Sequence, residues 1–298
     1  MPRYLMTFCY DGTCYHGWQK QHNGRSIQAT MERALGRMEA PNPSITAAGR
    51  TDTGVHALAQ KAHFDYPDRM STEQMIKAFN SLLPMDIKAL EIMPVPDAFH
   101  ARFDACERGY RYLLAKAPNP FTRLYMGFIP HKPVFFERLG KYIPVLLGSH
   151  DFSSFGRANP NIPKRVCVVK ELQVSDMGDY LAFDLLADRF LHNMVRRIVG
   201  SLINFAAKDL AVEELGRILA MADPKQTLVE TAPPEGLYLT RVGYPAEKLE
   251  RGDQFPADLA DDERVVTASV SFPRRRESIS SQFTLLSSPF PFQTSFRG

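Results

Sequence analysis

The order in which hydrophobic periods alternate along residues 3–95 constrains the fold more than any other feature of this chain. In RYLMTFCY, Tyr4, Met6, Phe8 and Tyr10 recur every second residue, the pattern of a strand with one buried face. A loop follows over residues 11–25. Ser26 then stands at an N-cap position ahead of Ile27, Met31, Ala34, Leu35 and Met38, which share one helical face. Pro41 and Pro43 stop that helix. Residues 45–48 and 58–65 read as two strands on either side of the loop GRTDTGVHA. Ser71 and Gln74 fit a capping box for a helix that turns Met75, Ile76, Phe79, Leu82 and Leu83 inward, and Pro84 ends it. Residues 87–95 form the next strand. The order β-α-β-β-α-β is the ferredoxin-like pattern.

The same order recurs. Strands are expected over 109–116, 164–175, 179–187 and 236–243, and helices over 134–147, 190–207 and 211–221, the first of these weakened by Pro144. The expected class is α+β: two ferredoxin-like βαββαβ halves whose antiparallel sheets join side by side, with the active-site cleft between them. Residues 1–105 form the N-terminal half, with the GRTDTGVHA loop, and residues 106–246 the C-terminal half. Residues 247–298 lack sustained periodicity and end in a run rich in Ser, Phe, Pro and Arg, so a disordered tail is expected there. The Arg274-Arg275-Arg276 run reads first as a solvated basic stretch and second as an auxiliary RNA contact.

Composition excludes several classes. No apolar run approaches the length of a membrane span, and the opening MPRYLMTFCYDGT lacks the apolar core of a signal peptide, so a cytoplasmic protein is expected. Cys9, Cys14, Cys106 and Cys167 form no CxxC pair and no zinc pattern, and they are expected to be reduced thiols. The net charge of +3 does not announce a nucleic-acid binder, so any such role must rest on local clustering of basic side chains.

The stretch with the most chemistry is Gly49-Arg50-Thr51-Asp52-Thr53-Gly54-Val55-His56-Ala57. It is a tight loop between strands, and its glycines allow close approach of a ligand to the backbone. Arg50 and Asp52 alternate, so in an extended segment their side chains point into the same space. A carboxylate beside a fixed cation stays ionised and can act as nucleophile or base at neutral pH. Local chemistry alone favours a turn holding a structural Arg–Asp pair and a hydrogen-bonded histidine.

GRTDTGVHA resembles the signature loop of the TruA family of tRNA pseudouridine synthases, with Thr53 in place of the more usual Ala. Further segments resemble that family's motifs in the same order: YDGTCYHGWQ, FHARFDACERGYRY, FLHNMVRRIVG and EGLYL. The resemblance covers about residues 3–245 and leaves the tail without a counterpart. It implies that Asp52 is the catalytic carboxylate, acting either as nucleophile on the sugar or as the base that removes a sugar proton, that Arg50 helps turn the target nucleotide out of its stack, that Tyr110 stacks on the extruded base, and that Arg196 pairs with Asp52 from the second half. It further implies a homodimer acting on uridines 38, 39 and 40 of the tRNA anticodon stem-loop. The chemistry breaks the bond between ribose C1′ and uracil N1 and rejoins the base through C5. It is redox-neutral and transfers no phosphate, so no cofactor and no metal are implied.

Other side chains are less specific. Arg102, Arg108, Arg111, Arg157, Arg165, Arg189 and Arg197 are candidates for RNA-backbone contact, which supplies affinity and position but no sequence selection. His56 and His192 read as structural hydrogen-bonders, and Trp18 as packing for the opening loop. Two competing functions fit parts of the sequence. Asp11-Gly12-Thr13 matches half of a DxDGT phosphatase motif, but position 9 is Cys where the nucleophilic Asp belongs. A non-catalytic RNA-binding protein of ferredoxin-like fold could stack bases on Tyr4, Phe8 and Tyr110.

Overall fold

The alternation in residues 3–10 builds strand β1 (Arg3–Tyr10), with Tyr4, Met6 and Phe8 buried on the face that meets the first two helices. The computed structural model describes residues 1–22, 24–158 and 165–250. The expected tail therefore lies outside the described residues beyond Glu250, and residues 246–248 form a single 3-10 turn. Helix α1 (Ile27–Arg37) is capped by Ser26, which accepts from Ala29 N at 3.3 Å. Short β2 (Thr46–Ala47) and longer β3 (His56–Asp65) flank the GRTDTGVHA loop. Helix α2 (Thr72–Leu82) carries the complete Ser71–Gln74 capping box, and β4 (Ile87–Val95) closes the first half. Strands β4, β1, β3 and β2 lie side by side in that order, all antiparallel, which is the ferredoxin-like arrangement.

The second half begins with β5 (Glu107–Ala115). The expected helix over 134–147 is two single-turn pieces, α3 (Phe136–Leu139) and α4 (Ile143–Leu146). Pro144 cannot continue an incoming helix, because it lacks an N–H and its ring clashes with the carbonyl of Gly140. Strand β6 (Gly148–Asp151) follows, polar and mostly exposed, and sequence periodicity gave no sign of it. Then come β7 (Val166–Asp176), β8 (Tyr180–Ala187), α5 (Met194–Lys208), α6 (Val212–Met221) and β9 (Leu237–Gly243). Strands β9, β5, β8 and β7 repeat the arrangement of the first half, with β6 added at the outer edge.

Among the described residues the two sets merge into one nine-stranded sheet. The junction is parallel and short: His56 pairs with Tyr238 and Ala57 with Leu239. Leu237 and Leu239 are two apart on β9 and so share a face. Leu237 enters the buried cluster under α5 and α6, and Leu239 the one under α1 and α2. Both helical layers therefore cover the same side of the sheet, and Tyr110 packs against both clusters. No helix among the described residues is long and apolar enough to cross a membrane. All four cysteines are unpaired thiols.

Candidate active site

Backbone hydrogen bonds and close packing fix the GRTDTGVHA loop in place. Trp18 N donates to Thr51 O at 3.0 Å, and the Tyr10 hydroxyl meets Thr51 Oγ1 at 2.8 Å. Gln60 Nε2 donates to Gly49 O at 3.0 Å, and Val55 N closes the turn onto Asp52 O at 3.2 Å. Gly17 has a positive φ of 78°, and a Cβ there would sit 2.5 Å from Thr51 O, so only glycine lets the opening loop seat against this turn. Trp18 is buried against Phe8, as packing for that opening loop requires. His56 is buried as well, accepting from Gly12 N at 3.1 Å on Nδ1 and facing Leu124 O at 3.1 Å on Nε2, with its ring stacked on Tyr238. Burial lowers its pKa, against the pull of the neighbouring Asp11 carboxylate, so it stays a neutral structural group.

Asp52 takes its partners from the other half of the molecule. His192 Nε2 lies 2.9 Å from Asp52 Oδ1, and Arg196 Nη1 lies 3.4 Å from Oδ2. Arg196 is fixed in turn: its Nε donates to Ala232 O at 2.7 Å and its Nη1 to Asn193 Oδ1 at 3.2 Å. Asn193 adopts left-handed backbone, φ 64°, just ahead of α5, a conformation uncommon for residues other than glycine though best tolerated by Asn and Asp. Burial pushes the Asp52 carboxyl upward, but the hydrogen bond from His192 and the charges of His192 and Arg196 outweigh it and hold the group below the usual carboxylate range. Since an ionised carboxylate only accepts, His192 must carry its proton on Nε2.

The loop and the start of α5 both line a cleft of about 1140 Å³. Arg50, Asp52, Tyr110, His192 and Arg196 all line it. Arg50 is exposed and makes no ion pair with Asp52, so the partnership expected within the loop is replaced by one across the cleft. Tyr110 is half-buried, edge-on to Phe190 with ring centroids 5.1 Å apart. Tyr112, on the same strand face, is fully buried and donates to Pro233 O, so only Tyr110 reaches the cleft. Burial, then the neighbouring Tyr10 and the Asp52 carboxylate, push the Tyr110 hydroxyl upward, and it remains protonated at neutral pH.

Of the arginines read as backbone contacts, Arg102, Arg108, Arg157 and Arg189 line the cleft. With Arg50 and Arg196 they make six arginines against two aspartates, so the lining is strongly cationic although the chain carries only +3. Arg108 is spent structurally: its guanidinium donates to the carbonyls of Ala105, Asp188, Ala48 and Arg102 and so ties the two halves together. Arg111 lies outside the cleft and pairs with Asp184 at 2.7 Å. The phosphatase reading of Asp11-Gly12-Thr13 gives way to a turn in which Asp11 accepts from Thr13 N and Oγ1 and from the Tyr125 hydroxyl.

The chain matches the family model described as tRNA pseudouridine synthase over residues 6–104 and 143–245. A tRNA pseudouridine synthase A from an Exiguobacterium species is 38% identical over 250 residues, covering 84% of this chain and all of the relative. One from Bacteroides fragilis is 36% identical over 252 residues, covering 84% and 99%. A solved Cbf5-Nop10-Gar1 complex aligns with 80% of this chain and 49% of its own at 11% identity and a TM-score of 0.37, too distant to bear on function. The chain belongs to the tRNA pseudouridine synthase family.

For a tRNA pseudouridine synthase, the residue that sequence reasoning passed over is His192. It read as a structural hydrogen-bonder, yet it makes the shorter of the two contacts to Asp52. The available signal was its place in FLHNMVRRIVG, four residues ahead of Arg196; the structure sets it in the turn before α5, with left-handed Asn193 between. Removing it has a defined pH signature. The ionised form of Asp52 is lost as pH falls through its depressed folded pKa, and any stability tied to that depression disappears over the same acidic window, below the ordinary value of about 3.9. His192→Leu is expected to lower kcat/KM about tenfold at neutral pH and to move the acidic limb of its pH profile to higher pH. His192→Gln, which keeps a donor, should move the limb less. A profile unchanged in the Leu variant would remove His192 from the site.

Proposed function

We propose that the protein converts uridine to pseudouridine at positions 38, 39 and 40 in the anticodon stem-loop of tRNA, with Asp52 as the nucleophile. As a member of the tRNA pseudouridine synthase family it is an isomerase that acts on tRNA, and this sets aside the reading as a non-catalytic RNA-binding protein. The observation that carries the finer proposal is the ionised Asp52 carboxylate, held by His192 and Arg196 in the wall of a cationic cleft that Arg50 and Tyr110 share.

The chemistry assigns each group a task. The target uracil leaves its stack at a cost of a few kcal/mol. Arg50, exposed and with no ion pair among the described residues, is placed to occupy the vacated space. Tyr110 presents its ring to the extruded base, and base–aromatic stacking contributes roughly 1–3 kcal/mol. Its protonated hydroxyl suits a stacking platform better than a base. Asp52 attacks ribose C1′ and forms an ester there as the bond to N1 breaks; the uracil anion turns, C5 attacks C1′ and displaces the Asp52 carboxylate, and C5 loses its proton to water while N1 takes one up. Arg196 and His192 keep the carboxylate charged and oriented until substrate arrives.

Residues 1–105 supply Asp52 and Arg50, and residues 106–246 supply Tyr110, His192 and Arg196, so neither half is competent alone. The protein works as a cytoplasmic homodimer, with one tRNA reaching across both subunits and read mainly by shape. Mapping pseudouridine in tRNA from cells lacking the protein tests the proposal. Positions 38–40 should revert to uridine, and the wild-type gene should restore them. Full modification at all three positions in those cells would contradict it.

A further inference from the structure

Between Asp151 and Glu171 the sequence has no acidic side chain, while Arg157, Lys164, Arg165 and Lys170 fall within it. The fold brings Arg157 and Arg165 against Arg197, in the first turn of α5. Arg197 Nη1 donates to Gly156 O at 3.0 Å, Arg165 Nη2 to Arg157 O at 3.2 Å, and Arg165 Nε to Ser153 Oγ at 2.8 Å. Burial, then the charges of Arg157 and Arg165, depress the pKa of the Arg197 guanidinium. Its Nε is buried with no acceptor.

Among the described residues none of the three arginines pairs with a carboxylate. Two carboxylates in the neighbourhood are already committed. Asp151 accepts from Ser153 N, and Asp188 accepts from Val168 N and Arg189 N. Like charges gathered without a counter-ion oppose one another, and a buried donor without an acceptor is rare in a folded protein. An anion held at the exposed Arg157 would offset the charge gathered beside it. Arg157 lines the cleft that holds Asp52, and Arg197 directly follows the arginine that pairs with Asp52.

We propose that Arg157, Arg165 and Arg197 form a phosphate subsite that receives one phosphodiester of the RNA strand carrying the extruded uridine. This rests on the tRNA-isomerase reading of the cleft. Guanidinium groups suit the role because their planar fork matches phosphate oxygens. The subsite fixes where the strand enters the cleft and selects no base.

Arg157 is exposed, so Arg157→Gln leaves the core intact. Arg217→Gln, at an exposed position on α6, matches it in charge and serves as control. Binding of an unmodified tRNA transcript is measured by filter retention across a salt series, with and without inorganic phosphate as competitor. Arg157→Gln should weaken binding roughly tenfold and flatten the log-affinity against log-salt slope by about 0.7–0.9. Phosphate should compete less well against it than against wild type, and Arg217→Gln should match wild type in every arm. Wild-type affinity and slope in Arg157→Gln, or equal losses in Arg217→Gln, would overturn the subsite. Because binding is read without turnover, a wild-type protein that bound tRNA but formed no pseudouridine would sink the isomerase reading and leave the subsite result legible.

Discussion

Asp52→Asn is expected to abolish pseudouridine formation, lowering kcat by more than about a thousandfold, as loss of an essential nucleophile does. The substitution keeps the shape of the side chain and removes its charge. Its neighbours tolerate this. His192 can still donate to the amide oxygen, and Arg196 keeps its bonds to Ala232 O and Asn193 Oδ1. Folding and tRNA affinity should therefore stay within a few-fold of wild type. Asp52 is one charge among a cationic lining, and neutralising it should even tighten binding slightly. Single-turnover assays with excess enzyme separate the two quantities. Turnover within tenfold of wild type would mean that some other group performs the attack.

The second large effect is expected at Arg196. Arg196→Met preserves much of the apolar stem and deletes three contacts at once: to Asp52, to Asn193 Oδ1 and to Ala232 O. The Ala232 carbonyl loses a charged donor, and the fold should lose about 1–3 kcal/mol, measurable by urea denaturation. Asp52 loses its guanidinium partner, so its pKa rises and the acidic limb of activity moves to higher pH. The kcat should fall roughly a hundredfold. Arg196→Lys restores the charge without the fork that reaches Ala232 O and Asp52 together, and it should recover only part of the loss. Unchanged turnover in the Met variant, with the expected loss of stability, would reduce Arg196 to a structural role.

Much of this molecule was legible in its sequence, for local reasons. Ser26, Ser71 and Gln74 announce helix starts because capping involves residues three apart. Strands β1, β4 and β8 were legible because large apolar side chains recur on the face that packs against the helices. Strand β6 was not, because Gly148–Asp151 is polar and pairs only at the sheet edge, where no alternation is required. The split of the expected helix over 134–147 follows from Pro144, whose effect was visible but whose outcome depended on the packing of Leu139 and Leu146 into the second core. The junction between β3 and β9 left no local trace, since it rests on two residue pairs far apart in sequence.

The site divides along the same line. GRTDTGVHA marked Asp52 and Arg50 through its spacing and glycines. Alternation within the loop pointed to Arg50 as the cation beside Asp52, whereas the fold supplies His192 and Arg196 from more than a hundred residues away. Resemblance to the family anticipated Arg196, and no rule of local periodicity could have done so. The many arginines looked alike in sequence and separate only in three dimensions. Arg108 is consumed by four carbonyls and Arg111 by Asp184, while Arg157 faces the cleft.

The central claim is that the carboxylate of Asp52 drives isomerisation of a uracil drawn into the cleft. A tRNA transcript labelled with tritium at uracil C5 tests it most directly, because forming the bond from C5 to C1′ must expel that atom to water. Wild-type protein should release tritium in proportion to the pseudouridine formed, and Asp52→Asn should release none above background. Equal release by both proteins, or none from wild type with any unmodified tRNA, would contradict it.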